Sequence, residues 1–109
     1  MKQLFVYGTL LDPQIQINVF SRQIKGFSDN LIGYRKIYRK FYDGIYPDLL
    51  EDKESIVKGM VLQVSDEDLK KSDIYEGNEY ERLKVKLESG ILAEVYRGRR
   101  NNDNDFLRL

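Results

Sequence analysis

Apolar and polar positions change period several times along this chain, and each change marks an element. Leu4, Phe5, Val6 and Tyr7 form an unbroken apolar and aromatic run, the pattern of a buried strand. Gly8 ends the run and Asp12-Pro13 follows, a helix N-cap residue ahead of the residue favoured at the first helical position. That start predicts a short helix over 13–22, with apolar positions at Ile15, Ile17, Val19 and Phe20. Gly26 and Ser28-Asp29-Asn30 read as a turn. Over 31–41, Tyr34, Lys36 and Tyr38 alternate with Arg35, Ile37 and Arg39, which predicts a long strand with two partly wet faces. Asp43-Gly44 is a turn signal, Tyr46-Pro47 an extended step into another bend, and 51–55 a charged surface loop.

Ile56 to Val64 reads as a strand, and Gly59 inside it points to a bulge or a close backbone approach. Ser65-Asp66-Glu67-Asp68 opens a second helix, a capping serine followed by acidic residues facing the positive end of the dipole. Leu69, Ile74 and Tyr75 are its expected buried side, and Gly77-Asn78 its stop. Leu83, Val85 and Leu87 alternate with Lys84 and Lys86, and Gly90 turns this strand into a partner over 91–96 as a hairpin. Arg97 to Leu109 reads as a polar loop, with Phe106-Leu107 docking back. Roughly five or six strands and two short helices, without regular βα alternation, predict an α+β domain built on a small curled or barrel-like sheet.

The length of 109 residues fits one domain, covering 1–109 with a polar tail from about 98. Eighteen acidic and eighteen basic side chains cancel, so the charge footprint of a general nucleic-acid binder is missing. Arg35, Lys36, Arg39 and Lys40 lie among tyrosines, a mixture that can suit single strands, but strand-like alternation makes them a solvated sheet face. By the same token Tyr38, Tyr42 and Tyr96 read as amphipathic sheet residues, and Arg97 to Arg100 as a solvated end. No apolar run approaches the length of a membrane span, and the N-terminal apolar stretch is too short for a signal peptide. A cytoplasmic protein with no membrane partner is expected.

Two absences narrow the chemistry. Without cysteine there is no thiolate nucleophile, and without histidine no imidazole base or ligand. No metal site or cofactor is expected. Any proton transfer falls to a carboxylate, a lysine or a tyrosine. Two clusters are dense enough to carry it. The turn after Tyr7 can direct several backbone N–H groups at one point, which makes an anion pocket; an ordinary βα turn without a ligand is the plainer alternative. The second cluster is Asp73-Ile74-Tyr75-Glu76-Gly77 followed by Tyr80-Glu81-Arg82. Glu76 falls at the negative end of the predicted helix, where a carboxylate is held protonated more readily. It is a candidate acid/base; a surface Glu paired with Arg82 or Lys71 is the alternative.

Taken in order, Phe5-Val6-Tyr7-Gly8-Thr9-Leu10, Asp12-Pro13, Gly33-Tyr34, Tyr46-Pro47, Val57-Lys58-Gly59, Asp73 to Gly77 and Tyr80-Glu81-Arg82 resemble the γ-glutamylcyclotransferase-like family, which includes the AIG2-like proteins. The resemblance runs from about residue 3 to residue 97. It implies a small mixed β-barrel of roughly five to seven strands flanked by short helices, with a cavity at one end. It implies a substrate-binding loop at Tyr7, Gly8, Thr9 and Leu10, an acid/base at Glu76, and pocket tyrosines at Tyr46 and Tyr80.

The implied reaction cyclises a γ-glutamyl amide or amine to 5-oxoproline and releases the free amine. The substrate's own α-amine attacks, so the protein needs no nucleophile. Tyr80 is the first choice for a side-chain donor to the oxyanion. The alternative is a non-catalytic module that binds a small metabolite in the same pocket. Three positions depart from the commoner pattern: Leu11 stands where a basic residue often follows the loop, Ser72 where leucine often precedes Asp73, and Asp48 where a small residue often follows Tyr46-Pro47. The catalytic reading requires Glu76 to be buried beside the Gly8-Thr9 turn.

Overall fold

The computed structural model describes residues 1–100, so the expected docking of Phe106-Leu107 and most of the polar tail lie outside the described residues. The elements run β1 (Lys2–Val6), a 3-10 turn (Thr9–Leu11), α1 (Pro13–Phe20), β2 (Gly26–Phe41), β3 (Gly44–Val64), α2 (Asp66–Glu76), β4 (Tyr80–Lys86) and β5 (Leu92–Gly98). The fold is α+β, with one five-stranded mixed sheet in the order β2-β3-β1-β5-β4. All neighbours are antiparallel except β1 and β5, which run parallel. The central place of β1 explains its unbroken apolar run: Leu4, Phe5 and Val6 are covered on both faces, and each face feeds its own core cluster.

Both helices start where the capping chemistry puts them. Asp12 Oδ1 accepts the Gln14 N–H at 2.8 Å, with Pro13 at the first helical position. At α2, Ser65 Oγ accepts the Asp68 N–H at 3.0 Å and Asp68 Oδ2 accepts the Ser65 N–H at 2.9 Å, a reciprocal capping box. Arg22 adds two hydrogen bonds to Asp68, whose carboxyl is held well below its ordinary range chiefly by that guanidinium. The inward side of α2 differs from the expected one. Ile74 is 82% exposed and Tyr75 is exposed as well, while Asp68, Leu69 and Ser72 are buried. Leu69 is buried as expected, and it is the polar Asp68 and Ser72 beside it that apolar counting does not detect.

Two segments expected outside the sheet lie within strands. Ser28-Asp29-Asn30 belongs to β2, and its polar side chains serve a tertiary purpose. Ser89 Oγ donates to Asp29 Oδ2, Asn30 Nδ2 donates to Glu88 Oε1 at 2.7 Å, and the Glu88 N–H donates to Asn30 O at 2.9 Å. These bonds tie the start of the long hairpin to the β4–β5 turn, so the sheet curls. It does not close into a barrel, because β2 and β4 remain its two edges. The charged stretch 51–55 lies inside β3 as an irregularity: the register jumps from Ile32↔Ile56 to Tyr34↔Glu51, leaving Asp52 to Ser55 opposite Gly33. Asp52 holds that excursion by accepting from the Glu54 N–H and the Ser55 hydroxyl. The expected close approach at Gly59 is real, since a Cβ there would lie 2.4 Å from Val6 O.

The expected solvated end at Arg97 to Arg100 is partly buried, with Gly98 and Arg100 packed on Asp48. Asp48 is fully buried, and Arg100 belongs to the packing around it rather than to a solvated end. Its carboxylate accepts from the N–H groups of Leu49 and Gly98, both at 2.7 Å, from Arg39 Nε at 2.7 Å and from Arg100 at 3.1 Å. Burial alone would push this carboxyl up, but the two N–H bonds and the two arginines outweigh it and hold it below its ordinary value. Replacing Asp48 by alanine strands those donors and is expected to cost about 3–5 kcal/mol. In wild type the Asp48 contribution is present above pH 4 or so and is lost as acid protonates it, so the gap between wild type and variant should close at low pH in urea melts.

Candidate active site

The end of β1 and the end of α2 meet at one cavity. Tyr7, the residue after β1, is buried, and its hydroxyl donates to Tyr96 O in β5 at 2.7 Å. The chain then turns: the Leu11 N–H donates to Gly8 O and the Asp12 N–H to Thr9 O, both at 3.0 Å. Among the described residues no acceptor is hydrogen-bonded to the N–H of Gly8, Thr9 or Leu10, as the opening turn of a helix requires. Glycine is needed at position 8 for a steric reason, since a Cβ there would lie 2.7 Å from Pro47 Cγ.

Glu76 reaches the cavity because it continues the inward stripe Leu69, Ser72, Asp73 at helical spacing. Gly77, at φ +79°, ends the helix and returns its N–H to Asp73 O at 3.0 Å. The cavity has a volume of about 280 Å³. Every residue singled out from the sequence lines it: Glu76, Tyr7, Gly8, Thr9, Leu10, Tyr46 and Tyr80. Phe5, Val6 and Pro47 line it too, and so do Phe41, Asp43, Tyr75, Glu79 and Tyr96, which sequence reasoning missed as site residues. Tyr75 carried a signal, because it adjoins Glu76. Its hydroxyl lies 2.7 Å from Thr9 Oγ1, fastening the second motif to the first across the opening. Tyr96 sits in β5 as expected of a sheet residue, but it is buried on the cavity side, whereas Tyr38 and Tyr42 are exposed.

Burial, with the nearby Asp73 charge second, raises the Glu76 carboxyl from 4.5 to about 7. The side chain is half-buried, and the negative end of α2 acts in the same direction. Burial also raises the hydroxyls of Tyr7 and Tyr80, with the Asp48 charge adding to both. The expected oxyanion role of Tyr80 meets an obstacle: its hydroxyl donates to Pro47 O at 2.8 Å, so its proton is already engaged. The unengaged N–H groups of the Gly8–Leu10 turn are the better donors. Among the described residues no lysine or arginine lines the cavity, whereas Asp43, Glu76 and Glu79 do. Among the described residues no group of three or more acidic side chains is arranged to hold a metal ion, and no helix is long and apolar enough to cross a membrane.

Fold and site together define a class: a small α+β protein with a glycine-turn pocket and one half-buried carboxylate of near-neutral pKa. Residues 4–107 match the family described as gamma-glutamyl cyclotransferase, AIG2-like, and the chain belongs to that family. It is 31% identical over 109 residues to AIG2-like protein C of Arabidopsis thaliana, covering 94% of this chain and 62% of that one. A solution structure of another Arabidopsis thaliana protein superposes with a TM-score of 0.76 at 26% identity, over 98% of this chain and 80% of that one. A structure named gamma-glutamyl cyclotransferase shares the fold at a TM-score of 0.77 and 17% identity, over 91% of this chain and 67% of that one. The chain spans between 50% and 64% of the length of the curated relatives it matches.

A raised carboxyl has a definite stability signature. Below pH 4.5 Glu76 is protonated in both folded and unfolded chains; as pH rises through about 7 the unfolded chain ionises first and stability falls. The variant Glu76→Gln should therefore match wild type at pH 4 and exceed it by about 2–3 kcal/mol at pH 8. Thermal melts across that range would show the divergence.

Proposed function

We propose that this chain cyclises a γ-glutamyl amide or amine to 5-oxoproline, releasing the free amine, with Glu76 as the single acid/base and residues 1–109 acting as one domain. The observation that carries the reading is a carboxyl near pKa 7 in a cavity it shares with a turn of unengaged N–H groups. An α-ammonium titrates near ~8 and an ordinary Glu near ~4.3, so proton transfer between them costs about 5 kcal/mol. At about 7 the mismatch shrinks to roughly one unit, about 1.4 kcal/mol. That difference separates a usable base from a poor one.

In this reading Glu76 takes the proton of the α-ammonium, and the freed amine attacks the γ-carbonyl within the same molecule. The oxyanion is held by the Gly8–Leu10 N–H groups. The C–N bond to the leaving amine then breaks as Glu76 returns its proton to that nitrogen. The ring nitrogen gives its remaining extra proton to the regenerated carboxylate, which passes it to the departing amine. A folded γ-glutamyl chain held by Tyr46, Tyr80 and the turn supplies the orientation that makes ring closure fast. Every atom and proton is accounted for by substrate and carboxylate, so the scheme calls on no cofactor. The carboxylates of Asp43 and Glu79 lie on the exposed part of the wall, with no lining cation among the described residues to offset them. They favour leaving amines that are cationic or lack a carboxylate over γ-glutamyl amino acids.

The test is 5-oxoproline release from γ-glutamyl amines, γ-glutamyl amino acids and glutathione. We expect turnover of the amine class, an acid limb in kcat/KM centred near pH 7, and at least a 100-fold loss of kcat in Glu76→Gln with substrate binding retained. Binding of these compounds without release from any of them would instead make the chain a metabolite-binding module.

A further inference from the structure

Behind Glu76 lies a polar network, reaching the cavity wall only through Tyr96, that the cyclisation scheme does not use. Ser72 is fully buried in α2. Its Oγ lies 2.7 Å from the hydroxyl of Tyr96 and 3.0 Å from Leu69 O, while the Tyr96 hydroxyl donates to Asp73 Oδ1 at 2.6 Å. Arg82 in β4 grips the same Asp73 with two hydrogen bonds, Nε to Oδ1 at 2.8 Å and the terminal nitrogen to Oδ2 at 3.0 Å. Its other nitrogen donates to Glu94 Oε1 in β5 at 2.6 Å. Asp73 O caps the helix through Gly77, and Glu76 follows three residues later on the same face. The network therefore bolts the last turn of α2 to both strands of the β4–β5 hairpin. Ser72 puts a hydroxyl into it.

We propose that Asp73 is a positioning residue for Glu76, acting through the Ser72–Tyr96–Asp73–Arg82–Glu94 hydrogen bonds to set both the place of that carboxylate and the charge it faces. This deepens the catalytic reading, but its primary test does not depend on turnover. The groups around Glu76 are Tyr7 just after β1, Asp43 and Tyr46 from the β2–β3 hairpin, Tyr75 beside it in α2, Glu79 and Tyr80 at the start of β4, and Tyr96 from β5. The tyrosines Tyr7, Tyr80 and Tyr96 are pushed above their ordinary range, chiefly by burial, and stay neutral. Asp43 and Glu79 are exposed to solvent screening. Asp73 is the carboxylate on the turn of Glu76 itself, and Arg82 is the cation that offsets it. The Asp73 charge raises the Glu76 carboxyl, and Arg82, bonded to Asp73, is expected to act against it.

The experiment follows the Glu76 side-chain carboxyl by carbon NMR through a pH titration of the whole chain, in wild type, Asp73→Asn and Arg82→Gln. Asparagine keeps the Oδ1 acceptor for Tyr96 and Arg82 Nε, and removes the charge together with the Oδ2 acceptor of the Arg82 terminal nitrogen. We expect the midpoint to fall by a few tenths of a pH unit in Asp73→Asn and to rise by a similar amount in Arg82→Gln. If the protein turns over γ-glutamyl substrate, the acid limb of kcat/KM should move with it. Opposite signs distinguish positioning through charge from loss of structure, which would move both variants the same way. Ser72→Ala, the mildest change, should leave the midpoint in place and broaden the Glu76 resonance as the turn loosens. An unchanged midpoint in both charge variants, or a shift of one sign in both, overturns the proposal. A shift as expected with no turnover of any substrate would uphold it while removing the catalytic reading.

Discussion

The architecture turns on one buried charge. Asp48 sits with no solvent contact at the point where β3 passes the end of β5, and four donors from three strands and the segment beyond converge on it. A buried carboxylate is tolerable only when its lone pairs are filled, and that demand fixes the geometry around it. The Gly98 backbone comes so close that a Cβ would fall 2.5 Å from Asp48 Oδ2. Arg100 spans the junction, donating also to Leu49 O and Gly98 O. The consequence for the cavity is direct, because Pro47, the preceding residue, rests on Gly8 and accepts the Tyr80 hydroxyl. Three walls of the pocket are thus set by a carboxylate that does not line it.

Much of this was legible in the chain. The β1 run, both helix caps, the Gly90 hairpin and the two motif clusters announce themselves through local chemistry, and local chemistry is what a sequence displays. The candidate site was legible for the same reason, since Tyr7 to Leu10 and Glu76 to Tyr80 are contiguous blocks. What escaped reading was polar residues with distant partners. Asp29 and Asn30 look like turn formers because their bonds to Ser89 and Glu88 span about sixty positions. Ser72 and Asp73 look like a wet helix face, yet they dock α2 against β4 and β5. Tyr96 looks like any sheet tyrosine until Tyr7 and Asp73 are seen bonded to it.

The pocket also illustrates how a chain without histidine or cysteine can hold a proton donor near neutrality. The means are geometric: a helix that ends at the carboxylate, apolar and aromatic walls, and an anion one turn back. The same environment that raises the carboxyl makes it costly to ionise, so site and stability are set against each other at this residue.

The hydrogen bond from Tyr7 to Tyr96 joins residues 89 positions apart, and β1 finds its parallel partner only in β5. Contacts of that separation are the slow ones in folding, because a long loop must be ordered before they reward it. During synthesis the hairpin of β2 and β3 can pair early, but the pocket has no far wall until residues 92–98 have emerged. A nascent chain would thus carry the glycine turn exposed for most of its elongation, and binding competence would arrive in one late step.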